Sequence, residues 1–272
     1  MEYIALVATD LNQNKELSSL LITQSLFFPA IGEIFTFSDT SFYPESCNLV
    51  TKNSSTQARL ESLERLLDQS KLNHFLFTNW DSSIINQASW EAKYLDIDFL
   101  STPLWIEHNA YLAGSDNFCL TSRKFIQSAI HILKNKDVNF LNRDWGNLTI
   151  LKLEKEFFRK GIKFSPYKFN KKFCYESGSI KMDCFGFSSS ANFPLFLDQD
   201  KLIAHANQII SRQNNPETLL SYLKNCVETN KLELFKASVQ NFSQKPNLQN
   251  AVRHELARNP ESELLNVIKF FN

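Results

Sequence analysis

Carboxylates follow short apolar runs at three places in the first third of the chain. Asp10, Asp39 and Asp81 each lie within a few residues of the end of such a run. A carboxylate just past a buried strand can hold a hard divalent cation, which takes oxygen ligands and leaves positions for water and phosphate oxygens. Such a cation neutralises a diphosphate leaving group. Because Asp is also common in turns, an ordinary turn residue is the alternative for each of them.

The densest group of residues that could do chemistry lies between 79 and 105. It contains Asn79-Trp80-Asp81-Ser82-Ser83, followed by Trp90, Asp96-Ile97-Asp98 and Pro103-Leu104-Trp105. The Asp-x-Asp at 96–98 is a weak signal by itself, since it is equally typical of a solvated turn. Tryptophan rings can stack on the apolar faces of sugars, but they more often pack in a core or at its rim.

The elements around these residues alternate in an order that predicts a parallel sheet. The strand-like runs are Tyr3–Ala8, Ile31–Phe37 and Phe75–Phe77, and stripes of apolar residues at helical spacing separate them. Strand, helix, strand, helix, strand is the βαβ rhythm of a sheet with helices on its faces. Ligands of such sheets bind at the carboxyl ends of the strands, where the three aspartates are expected.

The chain changes character after about residue 199. The last glycine is Gly186, and apolar residues then recur at helical spacing. Two segments, 215–218 and 259–262, have the Asn-Pro-Glu start that is typical of a helix. We therefore predict a main α/β domain over 1–199 and an all-helical appendage over 200–272. The appendage either covers the main domain or offers a surface to a protein partner.

Composition excludes several classes of protein. The chain has 29 Lys or Arg and 29 Asp or Glu, so it lacks the net positive charge that is typical of proteins that bind nucleic acid or an anionic membrane. Its five cysteines include no C-x-x-C pair, which argues against a disulfide framework and a structural zinc site. The start lacks the features of a signal peptide, and polar residues break the most apolar stretch, Leu17–Ile34, so we expect no transmembrane segment. The expected location is cytoplasmic, with the inner face of the membrane as the alternative.

The order of segments from residue 75 onward resembles a domain family related to GT-A-type glycosyltransferases. The segment 75–105 resembles that family's strand followed by Trp-Asp-Gly, Trp and Asp-Tyr-Ile-Gly-Ala-Pro-Trp. The segment 114–124 resembles its Gly-Asn-Gly-Gly-Phe-Ser-Leu-Arg-Ser-Arg-Lys. Asn142-Arg143-Asp144 stands where the family has Pro-Glu-Asp, and Phe185-Gly186-Phe187-Ser188 where it has Phe-Gly-Phe-His. The resemblance spans roughly residues 2–197.

This resemblance implies a fold, an activity and a set of ligands. The fold would be a GT-A-like, Rossmann-like mixed sheet flanked by helices. The activity would be transfer of a sugar from a nucleoside-diphosphate-sugar donor to a glycan, lipid-linked or protein acceptor. A Mg²⁺ or Mn²⁺ ion would be the cofactor, although Ser188 replaces the late His that helps to bind the metal in many GT-A enzymes.

The resemblance also implies residue roles. Asp81 would face the donor diphosphate, through the metal ion if one is bound, and Asp144 would be the general base that an inverting transfer requires. The alternative for Asp144 is a helix N-cap. Asp116 would be a second catalytic candidate beside the donor sugar or the acceptor hydroxyl. The expected donor-binding set is Thr9, Asp10, Asp39, Trp80, Asp81 and Asn117. Trp105 and Trp145 are the candidates for stacking on sugar, and Glu176 and Ser188 those for supporting the site.

Departures from the family pattern keep two other functions open. Ser82 replaces a glycine, Asp116 and Asn117 replace two more, and Ser188 replaces the histidine. A catalytically degenerate sugar-binding or scaffold protein with the same fold would tolerate these changes. A nucleotidyltransferase, which shares the α/β layout and the use of acids to hold a metal, is the third reading.

Overall fold

The computed structural model describes most of the chain in two compact units, 1–188 and 189–272. The described residues are 2–10, 15–39, 42–50, 56–106, 110–113, 117–135, 153, 155–176, 183–213, 215–240, 250 and 254. The sequence predicts a domain boundary after residue 199, whereas the first compact unit ends at residue 188 and the second begins at 189.

Strands are confined to the first unit in the part of the chain that the structure describes. In chain order they are β1 (Ile4–Thr9), β2 (Ile31–Ser38), β3 (Cys47–Val50), β4 (His74–Asn79), β5 (Ser83–Ile84), β6 (Phe99–Ser101), β7 (Pro103–Ile106), β8 (Ala110–Ala113), β9 (Phe118–Ser122), β10 (Cys174–Tyr175) and β11 (Gly186–Phe187). The helices that carry labels are α1 (Lys15–Ser25), α2 (Thr56–Gln69), α3 (Arg123–Lys134), α4 (Tyr167–Phe173), α5 (Phe193–Phe196), α6 (Gln199–Ala204), α7 (Ala206–Arg212), α8 (Pro216–Glu228) and α9 (Leu232–Gln240).

Six strands form the main sheet in the order β3-β2-β1-β4-β9-β6. β9 runs antiparallel to both of its neighbours, while β1, β2, β3 and β4 are mutually parallel. The strand order reverses direction between β1 and β4, as it does at the switch point of doubly wound sheets. The expectation of a mixed α/β sheet flanked by helices is confirmed.

Apolar residues on both faces of the central strands build two cores. On β1, Ala5 and Val7 enter one core while Leu6 and Ala8 enter the other, because successive side chains of a strand point to opposite faces. The first core also takes the buried stripes of α2 and α3, and the second contains Ile22 of α1 and Phe173 of α4. A strand that is buried on both faces reads as a continuous apolar run, which is why β1 could be predicted.

A small three-stranded sheet, in the order β10-β11-β5, packs within the second core. β10 and β11 are parallel, and β11 is antiparallel to β5. Gly186 of β11 lies against the ring of Phe118, so closely that a Cβ on Gly186 would be 2.2 Å from the ring's Cζ. Only glycine permits this approach, and it ties the small sheet to the start of β9.

The described part of the second unit is helical, as expected for the appendage. Asn215 accepts a hydrogen bond from the backbone N–H of Glu217 and caps α8, with Pro216 at its first position, as its sequence predicts. The second Asn-Pro-Glu segment, 259–262, lies outside the described residues. No helix in the described ranges combines the length and the apolar character that crossing a bilayer requires.

Candidate functional site

The carboxyl edge of the main sheet brings the described members of the expected donor-binding set to one place. Thr9, the last residue of β1, pairs with Phe37 on one side and with Asn79 of β4 on the other. The expected residues Asp10, Asp39, Trp80, Asp81 and Asn117 all lie within two residues of a strand end at this edge. In open α/β sheets the crevice at the reversal of strand order is where ligands bind.

Asp81 occupies a tight turn directly after β4. The backbone N–H of Ser82 donates to the carbonyl of Asn79 at 3.1 Å, which closes a four-residue turn with Asp81 at its third position. The backbone N–H of Trp80 donates to Asn79 Oδ1 at 2.9 Å. Its first and last residues, Asn79 and Ser82, therefore hold the turn through backbone and side-chain hydrogen bonds.

Asn117, the residue before β9, fixes this turn from the neighbouring strand. Its carbonyl accepts from the backbone N–H of Asn79 at 2.9 Å and from the hydroxyl of Ser82 at 2.6 Å. The two amide side chains of Asn79 and Asn117 are also bonded, at 3.2 Å. Ser82 and Asn117 stand at glycine positions of the family pattern, and here both contribute hydrogen bonds that position the loop carrying Asp81.

The register of the small sheet places Glu176 and Ser188 at the same end as Asp81. Phe187 of β11 is opposite Ser83 of β5 and level with Tyr175 of β10, and the N–H of Ser188 donates to the carbonyl of Tyr175 at 2.9 Å. The residues that follow β10 and β11 thus lie beside the residues that precede β5. These are Glu176, Ser188 and the turn ending at Ser82.

The negative charges of the Glu176 and Asp81 carboxylates repel each other, and this repulsion contributes to the raised pKa of Glu176. Burial first, and then the negative charge of Asp81, raise the pKa of Glu176 to about 6. The thiol of Cys174 has its pKa raised well above the usual value, by complete burial first and then by Glu176. Two carboxylates of like charge in one partly buried place favour either a bound proton or a cation between them.

The chemistry of these side chains fits a hard divalent cation. Two carboxylates and the Ser188 hydroxyl offer only oxygen atoms, which Mg²⁺ and Mn²⁺ prefer. Within the described ranges, no three or more His, Cys, Asp or Glu side chains gather in a metal-binding group. A cation held by Asp81 and Glu176 would therefore keep several positions for water or phosphate oxygens, as Mg²⁺ usually does.

Asp10 and Asp39 differ in their surroundings. Asp10 is buried and accepts a hydrogen bond from the hydroxyl of Ser18 on α1, which ties the end of β1 to that helix. Asp39 is half-buried after β2 and accepts from the hydroxyl of Ser38 at 3.3 Å. Asp39 is therefore the more accessible of the two to a ligand at this edge.

Several other residues of the expected site cannot be placed. Asp116, Asp144 and Trp145 lie outside the described residues. Trp105 belongs to β7, but its side chain is not described. Trp90 is partly buried and packs against the second core, with its ring 5.1 Å from that of Phe28 and 5.0 Å from that of Phe185.

Two residues of the segments that resemble the family, Arg123 and Asp98, lie at the other end of the strands, where β4 and β6 begin. The guanidinium of Arg123 donates to the carbonyls of Leu67, Ser70 and Leu72 around the end of α2. Asp98 accepts from the Ser122 hydroxyl at 2.6 Å and from the N–H of Lys163 at 2.9 Å. Asp98 of the Asp-x-Asp at 96–98 therefore ties the start of β6 to its neighbours, at the opposite end of the strands from Asp81.

Comparison with known proteins gives structural similarities only. No family model matches the chain, and neither does any curated protein. The bifunctional IspDF of Campylobacter jejuni is similar with a TM-score of 0.37 and 11% identity, over 52% of this chain and 45% of that one. A glycosyltransferase involved in the glycosylation of the major capsid of PBCV-1 is similar with a TM-score of 0.47 and 7% identity, over 68% of this chain and 92% of that one. A 4-diphosphocytidyl-2C-methyl-D-erythritol synthase from Anaerococcus prevotii has a TM-score of 0.38 and 10% identity, over 58% of this chain and 83% of that one.

Proposed function

We propose that the chain is a glycosyltransferase that moves a sugar from a nucleoside-diphosphate-sugar donor to a glycan, lipid-linked or protein acceptor. The observation that carries this proposal is the meeting of the Asp81 and Glu176 carboxylates at the carboxyl edge, beside the reversal between β1 and β4. A diphosphate brings concentrated negative charge, so a site for it needs a cation or several strong donors. An acidic pair at the crevice fits a diphosphate only together with a divalent cation.

Asp81 and Glu176 would hold that Mg²⁺ or Mn²⁺ ion, with the hydroxyl of Ser188 as a further oxygen. When bound, the ion would stabilise the charge that develops on the leaving diphosphate. The chain's own contribution is to hold Asp81 in place through the turn bonded to Asn117. Thr9, Asp39 and Trp80 would border the nucleotide at the ends of β1, β2 and β4.

Asp144 is proposed as the general base on the sequence resemblance. In an inverting transfer the acceptor oxygen forms a bond to the anomeric carbon while the bond from that carbon to the diphosphate oxygen breaks. The acceptor's proton passes to a carboxylate within hydrogen-bond reach. Asp116 is proposed to flank the donor sugar or the acceptor hydroxyl.

Release of nucleotide from a panel of UDP-, GDP- and CDP-sugars, with Mg²⁺ or Mn²⁺, tests the proposal. We expect Asp81→Asn and Asp144→Asn each to lower the rate by about 100-fold or more, since each loses a group acting at the reacting centre. The matched control is Asp68→Asn, which removes the same charge from an exposed position on α2. If Asp81→Asn releases nucleotide as fast as the parent, the role of Asp81 is wrong.

Two further measurements separate the alternative functions. Pyrophosphate release from a nucleoside triphosphate, with no release from any nucleotide sugar, would identify a nucleotidyltransferase. Calorimetric binding of a nucleotide sugar without turnover under either metal would identify a degenerate binding protein.

A further inference from the structure

A concentration of positive charge lies on the segment 155–173, although the whole chain is balanced. This segment has seven Lys or Arg residues and one acidic residue, Glu156, whereas the full sequence has 29 of each sign. The balanced total charge of the chain hides this local excess. Clusters of four to eight cations are typical of surfaces that bind anionic lipid headgroups.

The fold spreads this segment along the β6 edge of the main sheet. Residues 155–159 are helical, and Phe157 stacks on Phe125 of α3 with ring centres 5.0 Å apart. Phe164 then forms a parallel bridge to Phe99 of β6, and Ser165 donates to the Phe99 carbonyl at 3.0 Å. The segment therefore runs outside β6, the last strand of the sheet, and continues into α4.

The cations of this segment extend into water from that edge. The exposed ones are Lys155, Arg159, Lys160, Lys163, Lys168, Lys171 and Lys172. Lys172 is 3.3 Å from Glu91, but in the described ranges Arg159, Lys160, Lys163 and Lys168 form no ion pair. We name these seven side chains the basic edge. Because Arg159, Lys160, Lys163 and Lys168 are exposed, their charges can reach a partner at the surface.

A large apolar side chain stands among these cations. Phe158 is 54% exposed, and one side of its ring rests on Phe164, with ring centres 5.4 Å apart. Its neighbours Arg159 and Lys160 are both exposed. An exposed aromatic ring flanked by long basic side chains matches a bilayer interface, where the ring enters the headgroup layer and the cations meet lipid phosphates.

We propose that the basic edge docks on an anionic lipid bilayer, with Phe158 entering the headgroup layer. Six of the seven cations are Lys, a point charge, whereas recognition of nucleic-acid phosphates and base edges favours the planar fork of Arg. A diffuse lysine-rich surface with one purely apolar anchor fits lipid better than it fits a nucleic acid. This proposal is independent of the proposed catalytic function, because no residue of the basic edge belongs to the Asp81 site.

Sedimentation of the full chain with lipid vesicles tests the proposal. We expect binding to phosphatidylcholine vesicles that contain phosphatidylserine, and at least about tenfold weaker binding to pure phosphatidylcholine. Raising NaCl from about 50 to about 300 mM should weaken binding at least about tenfold, because salt screens surface charge. Phe158→Ala should weaken binding several-fold at low salt and leave the salt dependence in place.

A charge-reversal variant and a matched control localise the surface. Arg159→Glu/Lys160→Glu/Lys163→Glu should lower vesicle binding by about 30-fold or more, since three attractive contacts become repulsive. Lys71→Glu/Lys201→Glu/Lys224→Glu changes the net charge equally at exposed positions outside the basic edge and should bind nearly as well as the parent. All variants are first matched to the parent by circular dichroism and thermal unfolding.

Three results would overturn the proposal. Equal binding to neutral and anionic vesicles would remove the role of charge, and an equal loss in both triple variants would remove the role of this edge. Binding to heparin or single-stranded RNA without binding to vesicles would identify a surface for a different polyanion. Nucleotide release from a water-soluble donor should be the same in both triple variants, so a failure here is distinguishable from a failure of the catalytic proposal.

Discussion

Replacing Glu176 by Gln should change how the free energy of unfolding depends on pH. Burial, and then the charge of Asp81, raise the pKa of Glu176 from 4.5 to about 6. Between these values the folded chain holds a proton that the unfolded chain has released, so the parent's free energy of unfolding falls as the pH rises. At ~1.4 kcal/mol per pKa unit, this group accounts for at most about 2 kcal/mol.

Urea unfolding at about pH 4.5 and about pH 7.5 measures this effect, with a chelator present so that no divalent cation competes with the proton. From the lower to the higher pH, the free energy of unfolding of Glu176→Gln should rise by up to about 2 kcal/mol relative to that of the parent. The other titrating groups are the same in both proteins, so their contributions cancel in this difference. Asp81→Asn should keep the larger part of the parent's dependence, since burial is the first cause of the shift. Glu61→Gln, on an exposed face of α2, is the charge-matched control.

The reasoning would be refuted if the free energies of unfolding of Glu176→Gln and the parent differed by the same amount at both pH values. That result would mean that the Glu176 carboxyl is solvated in the folded chain. A buried acidic pair at the end of β4 would then not exist, and the proposed cation site would lose its second carboxylate.

Three other substitutions test how the site is supported, each by urea unfolding. Gly186→Ala should cost about 1–3 kcal/mol by overpacking against Phe118, and Phe118→Leu in the same chain should recover part of that loss. Ser82→Ala should cost about 1–2 kcal/mol, because the Asn117 carbonyl loses a donor; no loss would show that this bond does not fix the turn. Arg123→Ala should cost about 2–3 kcal/mol through the uncapped end of α2 but leave nucleotide release per folded molecule unchanged.

The elements of the first half of the chain could be predicted because their signals are local. The apolar runs at 3–8, 31–37 and 75–77 correspond to β1, β2 and β4, and the apolar stripes between them to α1 and α2. Parallel strands joined by helices put their carboxyl ends at one edge, so the gathering of Asp10, Asp39 and Asp81 also followed from topology. β3 was not predicted, because its four residues include Asn48 and form no apolar run.

The partner of Asp81 could not be predicted in the same way. Glu176 is distant along the chain, and the three strands that bring it to Asp81 have two residues each, too few to show a period. Their pairing depends on side chains buried in the second core, above all on Phe118 against Gly186. From the sequence Glu176 is therefore expected only to support the site, and its proposed role as a second carboxylate beside Asp81 rests on the register of β5, β11 and β10.

The contacts made by the residues that depart from the family pattern weaken the case for a catalytically degenerate protein. At two of the glycine positions, Ser82 and Asn117 add side chains that bond to the turn carrying Asp81 instead of obstructing it. At the histidine position, Ser188 lies beside Glu176, and in the proposed cation site these two residues would supply oxygen atoms in place of a histidine nitrogen. Hard cations such as Mg²⁺ favour that exchange. The same substitutions therefore fit either a lost activity or a site that binds its cation through two carboxylates. The metal-dependent rate of nucleotide release, measured for Asp81→Asn and Glu176→Gln, decides between the two.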